Sequence, residues 1–322
     1  MAADQPFALA RLKLLEHYGF AIGESTIQRI TLCHAEALHT QALSEVDLCS
    51  QDFPEAPGRH QQIVVQTDGG MIPIVKPDET QKDKRKGKTL LWREAKLSLA
   101  HPKGSRTPVY GGMIEGGVEA AGRQLFACAV RCGFGATSKV HAVGDGAPWI
   151  VGQVEERFGT QGSYLIDFYH VCAYLSAAAK AIAPDPAPLD AWTEALKTGC
   201  LDSVLAALAP HIEAPEMEDE QAPVRRCHRY LSDRRNQLNY RHALANDLPI
   251  GSGEIESAHR YIAQQRLKRP GAWWRVDHAE YILALRITRI NGNWEAYWAT
   301  LGKTAAPANH NQPPSAPRKS AA

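Results

Sequence analysis

Two aspartates in this chain stand where a short β-branched run meets glycine. Asp68 follows Gln61-Gln-Ile-Val-Val-Gln-Thr67 and precedes Gly69-Gly70; Asp145 follows Lys139-Val-His-Ala-Val143-Gly144 and precedes Gly146. With the two runs as neighbouring strands, both carboxylates reach one sheet edge. Close carboxylates repel unless a proton or cation sits between them, so such a pair is a natural seat for a divalent metal. The flanking glycines leave room for another backbone, such as that of a nucleic acid, to approach. Asp-Gly alone is a turn dipeptide. The repetition after two β-rich runs is what points to chemistry.

A third acid lies in Gly251-Ser-Gly-Glu254-Ile-Glu256-Ser-Ala-His259-Arg260. Residues two apart on a helix point about 200° from one another, so Glu254 and Glu256 cannot both face one site. With Ser252 as the cap, Glu254 falls in the first turn, where its charge meets free N–H groups. That leaves Glu256 the freer of the two, a small preference that keeps both open. Three acids suit two Mg²⁺ ions, with Mn²⁺ as a substitute. Such a pair activates a water or 3′-hydroxyl and stabilises the leaving oxygen at phosphorus.

Asp167 and His170, at the end of a β-like run and the start of a helix, are candidates for an outer pair at that metal site. A helix-capping Asp and a packed His are the equal alternative. Net charge is only +1, but the charges are segregated. Arg225, Arg226, Arg229, Arg234, Arg235 and Arg241 face a lone acid, Asp233. Arg260, Arg266, Lys268, Arg269 and Arg275 form a second basic stretch, and Lys82 to Lys88 a third, read as an exposed loop. Such patches suit phosphates. Trp273 and Trp274, beside Arg269 and Arg275, could stack on an unpaired base, with a core role favoured for one of them.

The elements that must position these residues follow from periodicity. Residues 8–21 have helical spacing, and a turn and a helix opened by Ser25 or Thr26 complete a helix-turn-helix outline. Strands are predicted over 61–67, 71–75, 88–99, 139–143 and 163–168. Helices are predicted over 115–132, from Pro148, and over 171–182. Pro73 argues for an irregular position in the second of these strands. Three strands in meander followed by strand–helix alternation make an α/β layout with a mixed sheet. The domains expected are a helical segment over 1–58, a catalytic domain over 59–302 with a helical insertion at about 185–247, and a disordered tail over 303–322.

Of the 322 residues, 44% are hydrophobic and 22% charged, which fits a globular chain with a core. No apolar run reaches the roughly 18 residues of a membrane span, and Met1 to Gln5 lack a signal-peptide pattern. A cytosolic protein is expected. The seven cysteines form no C-x-x-C pair and read as reduced thiols rather than a zinc or disulfide framework.

Gln66-Thr-Asp68-Gly, Trp92-Arg-Glu-Ala-Lys96, Gly144-Asp145-Gly-Ala-Pro-Trp-Ile150, Ile166-Asp-Phe-Tyr-His170, Leu248-Pro-Ile-Gly-Ser-Gly-Glu-Ile-Glu256-Ser, Gln265-Arg-Leu-Lys268 and Asn291-Gly-Asn-Trp294 occur in this order. The ordered set resembles the ISKra-type bacterial insertion-sequence transposases of the DDE superfamily, over residues 60 to 300. The resemblance implies an RNase H-like five-stranded sheet and a helical insertion before the last catalytic helix. It also implies metal-dependent cleavage and strand transfer at the element's terminal inverted repeats, with double-stranded target DNA and a homo-oligomer as partners. By it, Asp68, Asp145 and Glu256 are the catalytic, metal-binding acids, which decides against Glu254. The part ahead of the first strand is shorter than such transposases usually carry, so a truncated DNA-binding segment is expected. Two alternatives stand beside this reading: a non-catalytic DNA-binding protein derived from a transposase, and an RNase H-like nuclease without strand transfer.

Overall fold

The computed structural model describes residues 1–78, 80, 87–183 and 187–304. Most of the basic 82–88 loop, Pro184, Pro186 and the tail from 305 lie outside the described residues.

Alternating β-branched residues produce a long first strand, β1 (Gln62–Pro77), paired antiparallel with β2 (Lys88–Pro102), which pairs with β3 (Val109–Met113). On its other side β1 pairs parallel with β4 (Lys139–Gly144), and β4 with β5 (Gly162–Ile166). The order β3-β2-β1-β4-β5 makes a mixed, RNase H-like sheet. Two expectations change. Asp68-Gly69-Gly70 is not a turn, because β1 runs straight through it. The fifth strand is supplied by β3, which the sequence reading missed. Pro73 is tolerated because β4 pairs only as far as Gln66, beyond which β1 needs no amide on that side. There the chain at Trp274 covers the open edge: Val75 N–H donates to the Trp274 carbonyl at 2.7 Å.

Helices coat both faces. Ile63, Val65 and Ala100 pack against α3 (Gly117–Arg131) and α4 (Pro148–Phe158). Ile72, Ile74, Leu97 and Leu99 pack under α10 (Gly253–Ala258), α12 (Val276–Ile290) and the N-terminal helix α2 (Glu24–Gln51). Each fully buried Leu or Ile contributes about 1.5–3 kcal/mol, so the sheet is pinned from both sides. A second core joins α5 (Phe168–Ile182) to the insertion, made of α6 (Ala187–Lys197), α7 (Leu201–Leu208), α8 (Pro223–Asp233) and α9 (Tyr240–Ala245). After α10 the helix widens into a π segment, His259–Gln264, before α11 (Gln265–Leu267); α13 (Trp294–Thr304) ends the described chain.

The two helices of the helix-turn-helix outline form, with one boundary changed. α1 (Phe7–Tyr18) is followed by a 28-residue α2 that opens at Glu24, not at Ser25 or Thr26. Ala35 and Leu38 of α2 share the core of the sheet. Among the described residues no helix is long and apolar enough to cross a membrane. All seven cysteines are free. Burial pushes the thiols of Cys128 and Cys227 up to about 12, so both stay protonated.

Candidate active site

The parallel ladders place three aspartates in a row. β1 and β4 stay in register to Gln66 and Val143, and β4 and β5 to Gly144 and Ile166. Asp68 and Asp145 each lie two residues past the first ladder, and Asp167 one past the second. Neighbouring strands run about 4.8 Å apart, so Asp68, Asp145 and Asp167 line one edge. Asp68 is thus not at the end of its strand; it stands where β1 outruns β4.

Each of the first two acids is held by one oxygen. Asp68 Oδ1 accepts from Gly69 N–H at 2.7 Å, and Asp145 Oδ1 accepts from Ala147 N–H at 2.9 Å. Burial raises the Asp68 pKa; the His259 charge and the Gly69 N–H pull it down, while the charges of Asp145 and Glu94 add to the rise. Asp145 is exposed, on a loop fixed by two tyrosines. Tyr164 Oη accepts from Gly146 N–H at 2.9 Å, and Tyr230 Oη donates to the Asp145 carbonyl at 3.0 Å. Gly146 has φ +87° and the Tyr230 hydroxyl 2.5 Å from where a Cβ would sit, so only glycine fits.

Asp167 takes the capping role. Its Oδ1 accepts from the N–H groups of Tyr169 (2.6 Å) and His170 (3.0 Å), opening α5. Its Oδ2 accepts from the Ser252 hydroxyl at 2.6 Å and from the Ser252 N–H. Ser252 therefore does not cap α10 with its side chain, contrary to expectation. His170 is exposed and packs on Tyr174 and Tyr230 rather than on the Asp167 carboxylate.

The segment before α10 is stitched across the strand ends. His141 Nε2–H donates to the Pro249 carbonyl at 2.8 Å, and Phe168 N–H to that of Ile250 at 2.8 Å. Ile255 N–H then donates to Gln66 Oε1 at 3.1 Å, and His259 Nε2–H to the Asp68 carbonyl at 3.0 Å. From Ser252 to His259 the chain thus passes Asp167, Gln66 and Asp68 in turn. Glu256 sits one turn before His259, exposed, its carboxylate without a hydrogen bond or ion pair among the described residues. Glu254 is engaged elsewhere, its Oε2 2.9 Å from His101 Nε2. Among the described residues no three His, Cys, Asp or Glu side chains are gathered tightly enough to hold a metal ion. The acids share an edge without closing into a cage.

The sequence reading overlooked Glu94, Lys96, His259 and Tyr230. Glu94 and Lys96 pair with each other, and Lys96 lies 5.7 Å from the Trp149 ring of α4. Their two-residue spacing on a strand was a usable signal, since it puts both on one face. The His259 signal was its position three residues after Glu256.

The proposed basic contacts divide. Arg260, Lys268, Arg269 and Arg275 are exposed; Lys268 lies over Trp92 at 5.6 Å, and Arg275 pairs with Asp277 at 3.3 Å. Arg266 is a correction. It is 2% exposed, packed over Phe7 and Trp274, with Nε–H donating to the Ala2 carbonyl. Trp274 is the core tryptophan and Trp273 the exposed one.

The profile of UPF0236, an uncharacterised protein family, matches residues 134–298, just over half of the 322-residue chain. The chain belongs to this family. The UPF0236 match runs from just before β4 into α13, so it contains Asp145, Asp167, the insertion and Glu256, while Asp68 and the β1–β2 hairpin precede it. No curated protein matches the chain.

Proposed function

We propose that this chain is a DNA transposase of the three-carboxylate class, cutting and joining DNA strands at Asp68, Asp145 and Glu256. The observation that carries the reading is the placing of two aspartates side by side on an RNase H-like sheet, with a glutamate-bearing helix tied across the same edge by Asp167, Gln66 and His259.

The donor set fits hard divalent cations. Asp68 and Asp145 each keep Oδ1 on a backbone amide, and among the described residues no hydrogen-bond donor reaches Oδ2; oxygen ligands of this kind are what Mg²⁺ or Mn²⁺ takes. Two such ions, when bound, would supply activation of a water or 3′-hydroxyl and charge stabilisation on the leaving oxygen. The protein's own work is positional. Gly69 and Ala147 orient the two aspartates, His259 holds β1 against the glutamate helix, and Tyr164 with Tyr230 fixes the Asp145 loop. On this reading the substrates are double-stranded DNA, both terminal repeats and target, and a homo-oligomer pairs the ends.

One observation favours a second reading. Glu256 has not closed on the aspartates, as suits a DNA-binding relative that has lost catalysis. Purified protein, element-end duplex and Mg²⁺ or Mn²⁺ separate the cases. Nicked and joined products that vanish in Asp145→Ala support the transposase. Products cut but never joined indicate a nuclease, and tight binding without cutting indicates the binder.

A further inference from the structure

The arginines on helix α8 and just past its end fall in two sets. Arg225 and Arg229 both engage Asp219, at 3.1 and 2.5 Å, and Arg235 beyond the helix engages Asp202 at 2.6 Å. Arg226 and Arg234 have no carboxylate within ion-pair distance among the described residues. They are instead laid over aromatic rings, Arg226 at 5.9 Å from the centre of Tyr174 and Arg234 at 4.2 Å from that of Tyr230. The two tyrosines stack at 4.2 Å with 13° between their planes, and exposed His170 packs on both. Arg226, Tyr230 and Arg234 follow one another at four-residue intervals, as do His170 and Tyr174 on α5, so one face of each helix builds the platform. Tyr230 joins it to the acids through its bond to the Asp145 carbonyl.

A polyanion approaching Asp68 and Asp145 meets like charge. Cations without counter-ions beside that edge offset the repulsion, and a guanidinium backed by a ring keeps N–H groups free for phosphate oxygens. The acid-paired arginines of the same helix are already neutralised. We infer that Arg226 and Arg234, with His170 of α5, form a phosphate clamp where α5 meets α8, gripping the DNA backbone next to the phosphate presented to Asp145. This rests on the DNA-acting reading above and deepens it.

The test separates binding from cutting. Full-length Asp145→Ala protein is titrated, with chelator present, into a fluorescein-labelled 30-base-pair duplex over a salt series, read by anisotropy. Adding Arg226→Gln and Arg234→Gln should weaken binding about tenfold or more and flatten the log–log salt slope by about 1–2. Arg225→Gln with Arg229→Gln should change neither. Arg226→Lys with Arg234→Lys keeps the charge and should retain most of the affinity, which guards against reading misfolding as lost contact; circular dichroism accompanies each variant. Unchanged affinity and slope in the folded glutamine pair, or an equal loss in the Arg225 and Arg229 control, overturns the clamp. Absence of any binding by the parent overturns the DNA-acting reading itself.

Discussion

His259 Nε2–H donates to the Asp68 main-chain oxygen at 3.0 Å, and the same nitrogen stands 3.9 Å from the Asp68 carboxylate. One imidazole thereby ties the start of the π segment to the strand that carries the first acid. Gly70 lies under that ring, where a Cβ would come 2.7 Å from Nδ1. Gly70→Ala is expected to force the ring aside and cost about 1–3 kcal/mol, read as a lower denaturation midpoint. An unchanged midpoint would show that the ring is not packed there.

The neighbouring glycine should behave differently. A Cβ at Gly69 meets Glu94 Oε1 at 2.0 Å, the end of a flexible side chain that can swing away. Gly69→Ala is therefore expected to fold with nearly normal stability, with Glu94 turned away from Asp68 and its contribution to the raised Asp68 pKa removed. A large drop in melting temperature would show that Glu94 cannot swing clear.

Asp68 carries a cost in folding. Burial, Asp145 and Glu94 raise its pKa above 3.8 against the pull of His259 and Gly69, so its ionised form is disfavoured in the native state. Stability from this residue is present when it is protonated and lost as pH rises through the raised value. With chelator present, Asp68→Asn should melt on the order of 1–3 °C higher at pH 7, with the gain shrinking as pH falls toward 3.8. A lower melting temperature at pH 7 would contradict this.

The His101–Glu254 pair has the opposite sign. Burial works against the imidazolium, but the Glu254 hydrogen bond, the Pro102 carbonyl and the Glu254 charge outweigh it and lift His101 above 6.5. Its contribution is complete below pH 6.5 and disappears as pH rises through the lifted value. Glu254→Gln should lower the melting temperature at pH 5.5 and leave it nearly unchanged at pH 9. Glu256→Gln should abolish cleavage while changing stability at neither pH. Equal melting shifts for Glu254→Gln at both pH values would mean that the pair is not ionised.

Arg266 and Lys268 are adjacent in composition but opposite in role. Burial and neighbouring arginines pull the Arg266 pKa down to about 10, and its stacking between Phe7 and Trp274 is packing. Arg266→Ala should destabilise by about 2 kcal/mol, whereas Arg266→Met, once folded, should bind duplex DNA normally. Lys268→Gln with Arg269→Gln should weaken that binding and flatten its salt dependence. Measuring all three by anisotropy assigns the stretch.

The sheet was legible because β-branched runs announce themselves. β3 was hidden: Val109–Met113 is short and holds two glycines, and only pairing with β2 makes it a strand. Asp68-Gly69-Gly70 carries a turn signature that tertiary pairing with Leu97, Lys96 and Ala95 overrides. Side-chain partners were the least legible part. Nothing local distinguishes Arg266, shut in the core, from Lys268 on the surface, or foretells that Ser252 bonds Asp167 instead of its own helix.

The unbroken course of β1 sets a length scale. From Asp68 to Pro77 the strand advances nine residues at about 3.3 Å each, so the hairpin's far end stands roughly 30 Å from the acid. That is close to the approximately 34 Å rise of one turn of B-form duplex. Trp92 pairs with Pro73 about midway along this arm, with Trp273 and Lys268 packed on it. On the DNA-acting reading proposed above, the arm beyond Asp68 would span about one duplex repeat.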